Sequence, residues 1–162
     1  MKRMLMMGAL LLMGAGAYAQ SGPHFKAGVN VGIPTGDVAD LSSFTLGADV
    51  AYMWPVAPSL HVGVASGFQN FFVKSEFKDN DFVDLNYVPV AASGQFSVTP
   101  NFFVGADLGY AFTTSGGEDA GGFYYLPKVG YQRDRFEVFG GYRAVSSDVN
   151  FGAANIGVNF KF

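Results

Sequence analysis

Hydrophobic and polar residues alternate with period two through most of the chain, the spacing expected of strands with one apolar and one polar face. In the first such segment Ala27, Val29, Val31 and Ile33 interleave with Gly28, Asn30 and Gly32. The second sets Phe44, Leu46, Ala48, Val50, Tyr52 and Trp54 against Thr45, Gly47, Asp49 and Ala51. In the third, Leu60, Val62, Val64 and Phe68 oppose His61, Gly63, Ala65, Gly67 and Gln69. The fourth alternates Val88, Val90, Ala92, Phe96 and Val98 with Tyr87, Pro89, Ser93 and Gln95. Phe102, Val104, Ala106, Leu108, Tyr110 and Phe112 then face away from Gly105, Asp107 and Gly109. Phe123, Tyr125, Val129 and Tyr131 alternate with Tyr124, Lys128, Gly130 and Gln132, and Phe136, Val138 and Tyr142 with Glu137, Gly141 and Arg143. The last segment sets Ala154, Ile156, Val158, Phe160 and Phe162 against Asn155, Gly157, Asn159 and Lys161.

These eight segments each run to roughly ten residues, the length a tilted strand needs to cross hydrocarbon. The links between them alternate too. Val56-Ala57-Pro58-Ser59, Thr99-Pro100-Asn101 and Arg133-Asp134-Arg135 are tight turns, whereas residues 34–43, 73–84 and 114–121 form longer links rich in Asp, Ser and Gly. Only the final link, residues 146–149, is short for its side. An even strand count returns both ends of the chain to the side of the short turns, the periplasmic side of a membrane barrel. Pro89 and Pro127 fall inside proposed strands, where a ladder donor is lost, and predict a bulge or local irregularity at each.

Composition decides what kind of barrel this is. Aromatic residues make up 16% of the chain and charged residues only 14%, against a usual charged fraction of about 25%. Beyond the first twenty residues no apolar run approaches the length of a spanning helix, so a membrane could be crossed only by strands. A soluble up-and-down barrel of the lipocalin kind would carry its apolar residues inside. Here the polar face is dense in glycine and other small residues while the apolar face holds the large aromatics, and an eight-stranded barrel has little interior room. Bulky groups are therefore expected outside and small ones within. Phe25, Tyr52, Trp54, Phe102, Tyr131, Phe136, Phe160 and Phe162 would girdle the short-turn end. Phe44, Phe68, Tyr110, Phe112, Phe123 and Tyr142 would girdle the other. The expected fold is all-β: an eight-stranded antiparallel up-and-down transmembrane β-barrel.

The first residues read as an export leader. Lys2 and Arg3 precede an apolar run from Met4 to Ala17, and Ala17-Tyr18-Ala19 places small residues where a signal peptidase reads them. Residues 1–19 are accordingly expected to be cleaved before Gln20, leaving a barrel over 20–162; as a membrane anchor the run would be too short. Without Lys2 and Arg3 the formal charge moves from −3 to −5, which argues against a nucleic-acid partner. The chain has no cysteine, so disulfides, thiolate metal sites and a lipid anchor through an N-terminal Cys are excluded.

The ending Ile156-Gly157-Val158-Asn159-Phe160-Lys161-Phe162, with a terminal aromatic and apolar residues at every second position before it, resembles the small outer-membrane barrels. These are the group around OmpA and OmpX and the porin-family barrels common in Bacteroidetes. Tyr87-Val88-Pro89-Val90 and Tyr125-Leu126-Pro127-Lys128 look like strand openings of the latter. The resemblance covers the whole of 20–162. It implies a Gram-negative outer-membrane location, and a C-terminal signal at Ile156, Val158, Phe160 and Phe162 read by the barrel-assembly machinery. No peptidoglycan-binding segment follows the barrel, so tethering to the cell wall is not carried over.

Asp37, Asp40, Glu76, Asp79, Asp81, Asp84, Glu118, Asp119 and Asp148 fall in or beside the long links, offset there only by Lys74 and Lys78. They form either an acidic rim that bridges to lipopolysaccharide phosphates through divalent cations or meets a basic partner, or simply a solvated surface. Asp79-Asn80-Asp81 lacks the glycine and distal Glu of a calcium loop. Seven charges point inward: Lys26, Asp49, Asp107, Lys128, Glu137, Arg143 and Lys161. Buried charges must pair or cost several kcal/mol each; Asp107 and Lys128 lie on neighbouring strands near mid-depth, and Glu137 lies beside the strand of Lys161. The network reads as a plug or as a gated ion path, and the narrow barrel favours the plug.

No catalytic, cofactor or metal site is expected. His24 and His61 are the only histidines, both at the short-turn end, away from any lipid A substrate. Ser115-Gly116-Gly117 and Gly121-Gly122 precede a strand rather than a helix, so they form no phosphate cradle. The expected function is thus non-enzymatic: a monomeric outer-membrane barrel in contact with the bilayer and lipopolysaccharide, serving structure, adhesion or surface recognition through a loop partner the residues do not name. The alternative is a narrow, low-conductance channel for ions or small solutes. A ligand held between the loops near Tyr124 and Tyr125 is a third possibility.

Overall fold

The computed structural model describes residues 23–36, 39, 42–73, 85–114, 121–147 and 150–162. The leader, the nine acidic link residues, Lys74, Lys78 and Ser115-Gly116-Gly117 lie outside the described residues. Eight strands follow in order: β1 (His24–Gly36), β2 (Ser42–Ala57), β3 (Leu60–Val73), β4 (Leu85–Ser97), β5 (Phe102–Thr113), β6 (Gly122–Gln132), β7 (Phe136–Ser146) and β8 (Phe151–Lys161). Each pairs antiparallel with its sequence neighbour, and β1 pairs with β8 to close the barrel. At 11 to 16 residues the strands are somewhat longer than expected, and β2 is the longest because it runs on through Pro55 and Ala57.

The stagger follows from the printed partners. From Lys26 the pairing runs through Ala51, Ala65, Ala91, Gly109, Tyr124, Val145 and Phe151, and returns to β1 at Gly36, ten residues further on. Such a shear over eight strands tilts them by roughly 40–45°. An 11-residue strand such as β6 then rises roughly 26 Å, enough to span the apolar band of a membrane barrel.

The short turns are tied locally. Thr99 Oγ1 accepts from the amides of Asn101 and Phe102 at 3.3 and 3.0 Å, and the Arg133 amide donates to the Phe136 carbonyl at 2.8 Å. Neither Pro89 nor Pro127 produces a bulge. Instead the ladder from β4 to β3 lapses between Ser66↔Val90 and Gln69↔Tyr87, and that from β6 to β7 between Tyr125↔Ala144 and Lys128↔Gly141, with the register kept across both gaps. The Ser66 hydroxyl donates to the Pro89 carbonyl at 2.8 Å within the first gap. Register shifts occur in β2 instead, between Ser42 and Phe44 and between Pro55 and Ala57.

The outer face is apolar from end to end: Ile33, Val64, Val90, Leu108, Phe123, Val129 and Ile156 are each more than half exposed. The inner face departs from the expectation of small residues. Phe71, Tyr87, Phe103, Tyr124, Leu126 and Phe139 are all buried inside it. Room comes from the strand next door, where glycine stands opposite a large side chain: Gly130 opposite Phe103, Gly157 opposite Phe139, Gly63 opposite Met53 and Gly47 opposite Gln69. A Cβ on Gly157 would lie 2.6 Å from the Phe139 ring, and one on Gly130 2.7 Å from that of Phe103. Glycines on this face thus make room for individual large side chains.

Candidate functional site

Alternation turns Lys26, Asp49, Asp107, Lys128, Glu137, Arg143 and Lys161 into the lumen, where they form three separate groups. Asp107 and Lys128, on paired strands near mid-length, are joined by bonds of 2.8 and 2.7 Å, and Ser93 also donates to the Asp107 carboxylate. Asp49 on β2 meets Arg143 on β7, a strand it does not pair with, at 3.0 Å across the lumen. The same carboxylate accepts from Asn30 at 2.6 Å and Gln69 at 3.3 Å.

The third group lies toward the short turns. Lys26 on β1 donates to both oxygens of Glu137 on β7, at 2.8 and 3.0 Å, and to Gln95 at 2.6 Å. Gln95 donates in turn to Glu137 and Gln132, each at 3.0 Å. Lys161, on the strand beside Glu137, reaches the same carboxylate at 3.1 Å. Glu137 is thereby wedged between two ammonium groups while being only 1% exposed.

Beyond these layers, toward the long links, the lumen is filled by rings. Phe71, Tyr87 and Phe151 meet pairwise with centroids 5.7 to 6.1 Å apart, and Tyr124 adjoins Tyr87 at 6.5 Å. Ala91, Ala111, Leu126, Val145 and Ala153 complete the cluster. Tyr124 thus belongs to the barrel interior rather than to a ligand site among the loops, and Tyr125 stands on the outer wall beside Phe123. Between the rings and Lys26 a void of about 30 Å³ remains, bordered by Asp49, Asp107 and Lys128.

At the short-turn end the lumen opens into a cavity of about 190 Å³ whose lining includes His24, His61, Gln132, Arg133, Glu137 and Lys161. The two imidazoles meet edge to face with centroids 5.4 Å apart. Among the described residues no three His, Cys, Asp or Glu side chains are gathered in a way that could hold a metal ion. Ile156, Val158 and Phe160 lie on the outward face of β8, and Phe162 exchanges backbone hydrogen bonds with Phe25 at 2.8 and 3.2 Å.

Alternation identified which charges enter the lumen, and strand adjacency identified Asp107 with Lys128 and Glu137 with Lys161. The contacts of Lys26 with Glu137 and of Asp49 with Arg143 join strands that are not paired, and only the stagger of the closed barrel reveals them. The aromatic layer carried a weaker signal: Phe71 follows Gln69 at the inward spacing, and Tyr87 and Tyr124 share the parity of Ser93 and Lys128.

No protein-family model matches the chain, and no curated protein does. Solved structures do. A de novo designed transmembrane β-barrel superposes with a TM-score of 0.57 at 17% identity, covering 90% of this chain and 100% of that one. Ail, the attachment invasion locus protein of Yersinia pestis, gives 0.57 at 18% identity over 88% of this chain and 100% of its own. Neisserial surface protein A gives 0.55 at 19% identity, covering 88% and 98% respectively. The chain shares the fold of the small eight-stranded outer-membrane barrels.

Proposed function

We propose that the protein is an integral outer-membrane barrel with a non-enzymatic role, structural or in surface recognition, and that its lumen is a plug rather than a path. The observation that carries this is the filling of the lumen: paired charges in its middle and short-turn half, a packed aromatic layer above them, and a void of about 30 Å³ between. An ion in transit would have to displace a bonded carboxylate and then pass between rings. The apolar outer wall supports residence in a bilayer, since a surface of this kind has no stable contact with water. In this placement both ends of the chain are periplasmic and the long acidic links face outward. There they meet lipopolysaccharide, through bridging divalent cations, or a partner at the cell surface. Attachment is named for Ail, which has this fold, and the acidic links give this barrel a surface for such a role. The apolar face of β8 with Phe162 would be what the assembly machinery engages, and the barrel would act as a monomer.

Two measurements test the proposal together. Boiled and unboiled protein refolded in detergent should migrate differently on a denaturing gel, as a closed barrel resists the detergent. Planar bilayers containing the refolded protein should then stay silent. A steady conductance that changes when Asp107→Asn and Lys128→Met are combined would replace the plug with the narrow channel. Identical migration, together with solubility in the absence of detergent, would remove the barrel from the membrane altogether.

A further inference from the structure

The lumen holds four cationic side chains, Lys26, Lys128, Arg143 and Lys161, against three carboxylates, Asp49, Asp107 and Glu137. Lys128 is matched by Asp107 and Arg143 by Asp49, one to one. The imbalance is confined to the short-turn end, where Lys26 and Lys161 share Glu137. The sharing is unequal. Lys26 bonds both oxygens of the carboxylate and Gln95 takes a further position on it, whereas Lys161 makes one longer contact and gives another N–H to the Arg133 carbonyl at 3.2 Å. An ammonium has three donors, and the third N–H of Lys161 has no bond among the described residues.

Lys161 borders the cavity of about 190 Å³. His24 and His61 line the same space, and neither imidazole is hydrogen-bonded to any described residue. Gln132 is already engaged with Ser97 and the Pro100 carbonyl. Arg133 stacks on the Tyr131 ring at 5.4 Å and donates to its hydroxyl, which holds the guanidinium at the rim. Asp134 is the one carboxylate at the rim, and no ion pair joins it to Lys161 or Arg133 among the described residues. A partly buried positive charge without a full counter-charge and unused imidazole donors, gathered around an open cavity, make a receptor for a small oxyanion.

We infer that the short-turn mouth of the barrel binds a phosphate-sized oxyanion, held by Lys161 Nζ and the imidazoles of His24 and His61, with Arg133 at the rim. Its source is either a soluble phosphate or the phosphate of an anionic lipid headgroup in the adjacent leaflet; the bound chemistry is the same.

The test follows the backbone amide signals of Lys161 and Gln132 by NMR. In one arm, inorganic phosphate is titrated into the protein in maltoside micelles, which contain no phosphate. In the other, the protein in maltoside micelles is compared with the same micelles doped with phosphatidylglycerol. Saturable shifts in the first arm identify a soluble anion, and shifts confined to the second identify a headgroup. In either case Lys161→Gln should weaken the response roughly tenfold. Arg135→Gln, at the same end but outside the cavity, should leave it unchanged. Should Lys161→Gln lose its heat-dependent gel shift, the double variant His24→Phe/His61→Phe replaces it, and should abolish the response. Silence in both arms overturns the inference, as does equal weakening by Arg135→Gln, which would mean a diffuse surface potential and no site.

Discussion

Replacing Glu137 with Gln keeps the shape of the side chain and removes the one negative charge shared by the buried Lys26 and the partly buried Lys161. Lys26 is 5% exposed and Glu137 1%, so solvent offers little screening. Breaking a buried ion pair by removing one partner costs about 3–5 kcal/mol. Gln can still accept one bond from Lys26, so the lower end of that range, about 3 kcal/mol, applies. A urea dependence of about 2 kcal/mol per molar then moves the unfolding midpoint down by roughly 1.5 M. The assay is a urea titration in micelles followed through Trp54, the only tryptophan, which sits on the outer wall and reports the loss of its apolar surroundings. A companion variant, Lys26→Met/Glu137→Leu, removes one charge of each sign and should recover part of the lost stability, because the apolar pair needs no desolvated charge while Lys161 and Gln95 still lose a partner. A midpoint shift below about 0.3 M for Glu137→Gln would refute the reasoning. It would mean that water reaches the carboxylate freely, and that the closed lumen on which the proposed function rests is open at this end.

The outer wall gives a second prediction. Leu108→Arg, lipid-facing at mid-strand, should cost about 2–4 kcal/mol in a bilayer, and an unchanged urea midpoint would place that wall in water. Packing across the inner face gives a third. Gly157→Ala brings a Cβ to 2.6 Å from the Phe139 ring and should cost about 1–3 kcal/mol. Gly94→Ala meets nothing within 4 Å and should be nearly neutral; equal thermal stability of the two variants would contradict the packing described. The aromatic layer supplies a fourth. Tyr87→Ala/Tyr124→Ala should destabilise the barrel by several kcal/mol yet leave planar bilayers silent, because the Asp49–Arg143 bond still crosses the lumen and the Asp107–Lys128 pair still fills its wall beside it. Conductance in that variant would make the rings, not the charges, the seal.

The features legible in the sequence were those that depend on one strand or on adjacent strands. Period-two alternation separates lumen from wall whatever the barrel's stagger, so the inward direction of Asp49 and Arg143 could be read without knowing that they meet. Their meeting depends on the circumference and shear of the closed sheet, which no local pattern encodes. The size argument failed for a related reason. It treated the inner face as uniformly narrow, whereas Gly130 beside Phe103 and Gly157 beside Phe139 divide the space unequally between paired strands. Pro89 and Pro127 did disturb their ladders, but without the extra residue of a bulge: the neighbouring strand simply forgoes two pairings.

The juxtaposition of glycine and ring within the barrel bears on how such a chain can diverge. On the lipid side almost any apolar residue satisfies the solvent, so those positions are free to drift among Val, Leu, Ile and Phe. On the lumen side volume is exchanged between partners. A ring lost at Phe139 becomes tolerable when Gly157 grows, so change there proceeds by compensated pairs that alter both residues at once. Neither mode of change preserves residue identity, yet both preserve the alternation and the stagger. A lineage under these two rules would lose its recognisable spelling long before it lost its shape.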